Sequence, residues 1–230
     1  MGNVIFATIA IMLAALSASA QGVDGVGRLE ARDTGAFCSG ALVAPDLVLT
    51  AAHCVAKYEG RPLDDDKSFS FRPGQLRGAP LIAAKSIVLH PLYRRALTDL
   101  QRLRFDLALV QLSEPVDERF SVPLVYGDEA ERGEHLFIVS WRNTDGGTPR
   151  QKRCKVQNGF PGLVALDCAV FGGESGSPVL RQIDGGLELV AVVSSRSQLG
   201  ERPSAQASNI IDRLPALLQE FERVQSQSGS

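Results

Sequence analysis

The sequence predicts an all-β chain ending in one amphipathic helix. Short apolar or alternating runs recur between turn residues, and the hydrophobic period changes to three or four only near the C-terminus. The first run, 25–29, starts a short strand after the N-terminal segment. Runs 41–43 and 47–50 are separated by Pro45-Asp46 and read as paired strands. Run 69–71 ends at Arg72-Pro73-Gly74, and 81–89 and 107–112 follow as longer strands. Run 136–141 gives way to Asn143-Thr144-Asp145-Gly146-Gly147, and Asn158-Gly159 precedes run 163–166. Runs 179–180 and 187–193 flank Asp184-Gly185-Gly186, the chemistry of a hairpin turn. Ile210, Ile211, Leu214, Leu217, Leu218 and Phe221 then follow a helical period before the polar end at 225–230.

Residues 1–20 contain no Lys, Arg, Asp or Glu, run apolar from Val4 to Leu16 and end in Ala18-Ser19-Ala20. This is the pattern of a secretory signal, too short in its apolar part to span a bilayer comfortably, with cleavage expected before Gln21. It departs from the rule in lacking a basic side chain near its start. The remaining 210 residues suffice for one large all-β unit or two small barrels. A net charge of −2 points to neither nucleic acid nor an anionic membrane, and no later stretch is apolar enough for a membrane helix. The mature chain is therefore expected to be soluble and either secreted or periplasmic. Composition leaves its oligomeric state open.

Four cysteines in an exported chain read as two disulfides, with three connectivities open by counting. Local pairing, Cys38 with Cys54 and Cys154 with Cys168, is expected, since each bridge would then close a likely hairpin. Closing a loop of about 15 residues restricts the unfolded chain by roughly 3 kcal/mol. No Cys or His pair has the two-to-four-residue spacing of metal ligands, so no metal is expected.

Three segments carry chemistry. Thr50-Ala51-Ala52-His53-Cys54, after Cys38-Ser39-Gly40-Ala41-Leu42, sets a histidine beside a half-cystine just past an apolar strand. Arg104-Phe105-Asp106-Leu107-Ala108-Leu109-Val110 puts one carboxylate in an apolar run. Gly172-Gly173-Glu174-Ser175-Gly176-Ser177-Pro178 puts a serine between glycines. His90 and His135 read as structural, and Ser39 and Ser197 as ordinary turn serines. Asp99 lacks the apolar strand that would aim a carboxylate.

In that order and those contexts, the three segments resemble the chymotrypsin-like (trypsin-like) serine peptidases. The resemblance implies two six-stranded antiparallel β-barrels with the active site in the cleft between them, plus a C-terminal α-helix. One barrel would occupy 21–120 and the other 121–230, with 115–123 crossing between them. It implies Ser175 as nucleophile, His53 as general base, Asp106 as the group orienting the imidazole, and the N–H groups of Gly173 and Ser175 as oxyanion donors. The expected activity is endopeptidase hydrolysis of a polypeptide substrate through an acyl-enzyme, with no cofactor. A catalytically silent, protein-binding member of the fold and an esterase using the same site are the rivals.

The Ser-Gly-Ser-Pro ending is similar to that of bacterial secreted members related to glutamyl endopeptidases. Family members usually have Asp before the nucleophile and Gly two residues after it, where this chain has Glu174 and Ser177. No Ile-Val-Gly-Gly-type sequence follows a basic cleavage site, so activation by a freshly cut amino terminus is not expected. The substrate pocket is expected from Ala169, Val170, Ser194, Ser195 and Arg196. Ala169 stands where selection for Arg or Lys needs an acid, which disfavours a basic P1 residue; Arg196, at the pocket rim, would either obstruct the pocket or attract an acidic side chain, and a small or medium apolar P1 is expected.

Overall fold

The computed structural model describes residues 25–56, 68–74, 78–93, 96, 98–142, 149–157 and 159–228. The expected signal segment and its cleavage site, the turn at 143–147 and Asn158 lie outside these residues.

The first half contains β1 (Val26–Ala31), β2 (Phe37–Ala44), β3 (Leu47–Thr50), β4 (Phe69–Pro73), β5 (Ile82–Leu89) and β6 (Ala108–Leu112). They close an antiparallel barrel in the order β1-β2-β3-β6-β5-β4. Its strands are apolar on both faces for a reason of period. Val48, Ala108, Val110 and Leu112 point into the barrel core, whereas Leu47, Leu49 and Leu109 join a second cluster outside it.

The second half contains β7 (Val125–Tyr126), β8 (His135–Ser140), β9 (Arg150–Lys155), β10 (Leu163–Leu166), β11 (Pro178–Ile183), β12 (Gly186–Leu199) and β13 (Arg202–Asn209). Six of them follow the order β10-β13-β12-β11-β8-β9, and the short β7 pairs β12 in parallel. The sheet curls until its edges meet. Val156 and Leu166 form a bridge, Gln157 N donates to Ala165 O at 2.8 Å, and Cys154–Cys168 crosses the same seam. The architecture is thus a closed six-strand barrel beside a curled half-barrel, the two-unit arrangement expected from the resemblance.

The cluster outside the first barrel belongs to both halves. Val26, Leu49 and Leu109 pack there with Val139, Leu180 and Val192, and with Leu214 and Leu217 of helix α2 (Leu214–Ser228). The helix returns from the second half to lie on β5 and β6, where Gln225 Nε2 donates to Ser86 Oγ at 3.0 Å. It starts later than its apolar period suggested, because Ile210 is buried in the turn that precedes it.

Candidate active site

Strand register brings the histidine and the aspartate together. Thr50, the last residue of β3, is paired with Ala108, the first of β6, so the chain after β3 runs beside the chain before β6. Ala52–Cys54 form a single 3₁₀ turn there. The backbone N–H of His53 donates to Asp106 Oδ1 at 2.9 Å, and His53 Nδ1 lies 2.7 Å from Asp106 Oδ2. Cys54 is bonded to Cys38 of β2, which fixes the turn from its other side.

Asp106 is buried, and its Oδ2 also accepts a hydrogen bond from the Ser194 hydroxyl. Burial pushes the His53 imidazolium pKa down. The hydrogen bond to Asp106 and its charge push it up by more, so the net shift is above 6.5. The ring keeps 39% of its side-chain surface exposed, so its outer nitrogen can reach solvent or a ligand. Asp99 lies elsewhere, exposed in the first turn of α1 (Asp99–Arg104), which Thr98 caps by accepting from Gln101 N at 3.2 Å.

Ser175 sits on the loop before β11, and that loop is tied to both halves. Ser39 N donates to Ser175 O at 2.8 Å, and Ser39 Oγ donates to Gly173 O at 3.1 Å. Ser39 O accepts from Thr50 Oγ1 at 2.8 Å, and Ser39 Oγ accepts from Trp141 N at 3.1 Å. The turn reading of Ser39 is therefore corrected: it is a fully buried strand residue joining the loop to the barrel. A short polar side chain in a β strand gave no sign of this. Gly176 N donates to Val193 O at 2.8 Å, next to the Ser194 that touches Asp106.

Gly173 and Gly176 have φ of 92° and 76°, a region that disfavours side chains. Neither Gly173 N nor Ser175 N, the donors flanking Glu174, has a hydrogen-bond partner among the described residues. Ser175 is half-buried, and its hydroxyl makes no hydrogen bond to His53 among the described residues. Such contacts are commonly loose before a substrate is bound.

Of the expected pocket residues, Ala169, Val170 and Arg196 line a cavity of about 470 Å³ together with Phe171, Gln198 and Pro203. Ser194 and Ser195 do not line it; Ser194 is turned onto Asp106 instead. Ser197, read as a turn residue, lies within β12 and also lines the cavity. His90 is buried against the Phe105 ring at 5.0 Å, and burial and the charge of Arg213 lower its pKa to about 4; His135 is exposed on β8. Cys38, His53 and Cys54 cluster within 4.8 Å, but both sulfurs are spent in a disulfide and offer no thiolate to a metal.

A His–Asp pair on one barrel and a tight serine loop on a second β unit are the parts found in the class of two-unit serine endopeptidases. The pattern of the trypsin-like peptidase domain matches residues 38–192, and the chain belongs to that family. It is 27% identical to a trypsin of Simulium vittatum over 184 residues, 68% of this chain and 69% of that one. It is 34% identical to a trypsin of Phaedon cochleariae over 115 residues, 47% of this chain and 41% of that one. Kallikrein-4 of Homo sapiens shares 39% identity over 82 residues, 36% of this chain and 29% of that one.

Proposed function

We propose that the protein is an exported serine endopeptidase in which Ser175 attacks the scissile carbonyl. His53 takes the serine proton at Nε2 and returns it to the leaving amine, while Asp106 holds the Nδ1 tautomer and stabilises the imidazolium. The N–H groups of Gly173 and Ser175 receive the developing oxyanion; losing one such donor typically costs about 3 kcal/mol of transition-state stabilisation. The observation that carries this reading is the 2.7 Å His53–Asp106 contact on the first barrel together with a serine loop whose Gly173 and Ser175 N–H groups have no partner among the described residues.

The cavity beside the loop serves as the pocket for the residue before the scissile bond. Its Ala169 and Val170 surface, with Arg196 and no carboxylate among the described lining residues, supports a small or medium apolar side chain rather than a basic one. Two disulfides and the uncharged apolar N-terminal segment support export, and no helix among the described residues is long and apolar enough to cross a membrane. The relatives above are animal proteins; the Ser-Gly-Ser-Pro ending supports placing this chain in a bacterial secreted branch.

The test is labelling with a fluorophosphonate alongside hydrolysis of quenched casein and of a short-chain ester. Wild-type protein should be labelled at Ser175 and cut casein, and Ser175→Ala should lose both properties while remaining folded. More than about a thousandth of the activity surviving in Ser175→Ala would reject the assignment. Ester cleavage without casein cleavage would make the protein an esterase, and an unlabelled wild type would make it a silent binder.

A further inference from the structure

Glu174 lies between the Gly173 and Ser175 N–H groups and is wholly buried. Ser140 Oγ donates to its Oε1 at 2.9 Å, and the backbone N–H of Phe171 donates to its Oε2 at 2.7 Å. Lys152 Nζ lies 2.9 Å from Oε1 and 2.9 Å from Oε2. A carboxylate offers about four acceptor positions, and these contacts occupy them. Only Lys152 among the donors carries a charge, and a buried carboxylate without a cation would be strongly destabilising.

The same ammonium donates to Ala169 O at 2.7 Å. Lys152 thus grips the loop where it begins and again just before Ser175. It can do so because β9 alternates: Lys152 and Cys154 turn inward while Gln151, Arg153 and Lys155 are exposed. Cys154 bonds to Cys168, the residue just before Ala169, so one strand holds the loop by a covalent bridge and by an ion pair.

We propose that Lys152 is a positioning residue for the oxyanion site, holding loop 169–175 in its donor geometry through Glu174 and Ala169. The activity then needs no newly cut amino terminus, because Glu174 has no acceptor position left for a second cation. This rests on the serine-peptidase reading above. The sequence gave no sign that Lys152 pairs with Glu174, since β9 reads as a charged stretch without alternating apolar residues.

The test compares the full chain beginning at Gln21 with Lys152→Gln, Lys152→Arg and the double variant Lys152→Met/Glu174→Gln, which leaves no buried unpaired charge. Readouts are fluorophosphonate labelling, kcat and KM on an apolar-P1 peptide substrate, and the thermal midpoint. Wild type should be active without further cleavage. Lys152→Gln should lose about a hundredfold or more in kcat with KM little changed, the size of losing an oxyanion donor, and Lys152→Arg should recover part of it. The double variant should regain the thermal midpoint but not kcat, which separates positioning from mere stability. Full kcat in the double variant, or activity that appears only after a cut near residues 22–28, overturns the proposal while leaving the peptidase reading intact. A wild type that is neither labelled nor active overturns both.

Discussion

Replacing Gly176 by alanine puts the inferred site geometry under direct strain. A Cβ there would stand 2.3 Å from Ser39 O and 2.2 Å from Thr50 Oγ1, on a backbone with φ of 76°. The left-handed conformation disfavours a side chain by about 1–2 kcal/mol, and overpacking against backbone adds about 1–3 kcal/mol. The total of about 2–5 kcal/mol corresponds to a fall in thermal midpoint of roughly 4–20 °C for a chain of this size. Gly185 provides the control. Its φ is 93°, but a Cβ there meets nothing within 4 Å, so Gly185→Ala carries the conformational cost alone, a fall of roughly 2–8 °C. Scanning calorimetry under non-reducing conditions measures both variants, and hydrolysis of a peptide substrate is followed in parallel. Gly176→Ala should fall further and lose activity, because the obstructed Thr50–Ser39 contact sits beside the bond from Ser39 N to Ser175 O that holds the loop; Gly185→Ala should keep its activity. Equal midpoints for the two variants, or a fully active Gly176→Ala, would refute the reasoning.

Three further outcomes rest on contacts already described. Because burial and Asp106 act on His53 in opposite directions and Asp106 wins, the acid limb of kcat/KM should have its midpoint above pH 6.5; Asp106→Asn should leave burial alone, move that limb below 6.5 and lower kcat by about 10⁴. The sign for stability is the reverse. A raised His53 pKa stabilises the fold below pH 6.5 and that contribution fades as pH rises through the folded value, so a wild-type midpoint that gains from Asp106 as pH increases would contradict the assignment. Replacing Cys154 and Cys168 by serine should lower urea-unfolding stability by about 2–4 kcal/mol. Non-reducing peptide maps should show Cys38–Cys54 unchanged in that variant, and a crossed pairing in the wild type would sink the seam described between β9 and β10.

The strands that sequence made visible are those buried on both sides or alternating cleanly, such as β3, β5 and β6. β13 was not read as a strand, because Ser204, Ala205, Gln206, Ala207, Ser208 and Asn209 have poor strand propensity. They are nonetheless buried in mid-sheet, where small side chains fit between β10 and β12 and hydroxyls find acceptors, Ser204 Oγ to Leu166 O at 2.9 Å among them. β9 was missed for the opposite reason: it is a charged edge with one apolar contact inward. α1 is too short to show a period, and is instead marked by its Thr98 cap. At the site, the motif residues were legible because adjacent glycines, a cystine and an apolar strand constrain them locally. Ser39, Ser194 and Lys152 act through partners far along the chain, and a local pattern carries no trace of such distant pairing.

The core that both halves share has a consequence for how the protein is made. Val26 near the start of the described chain and Leu217 near its end join the same cluster, so the outward apolar face of the first barrel is not fully covered until the last helix arrives. During synthesis the strands of 26–112 can find one another early, but the pairing of Trp141, Leu180 and Leu214 with them cannot. Contacts of such long sequence separation form slowly. The packing between the halves is therefore among the last features to take shape, and a chain interrupted before residue 214 lacks the share of that core that Leu214 and Leu217 supply.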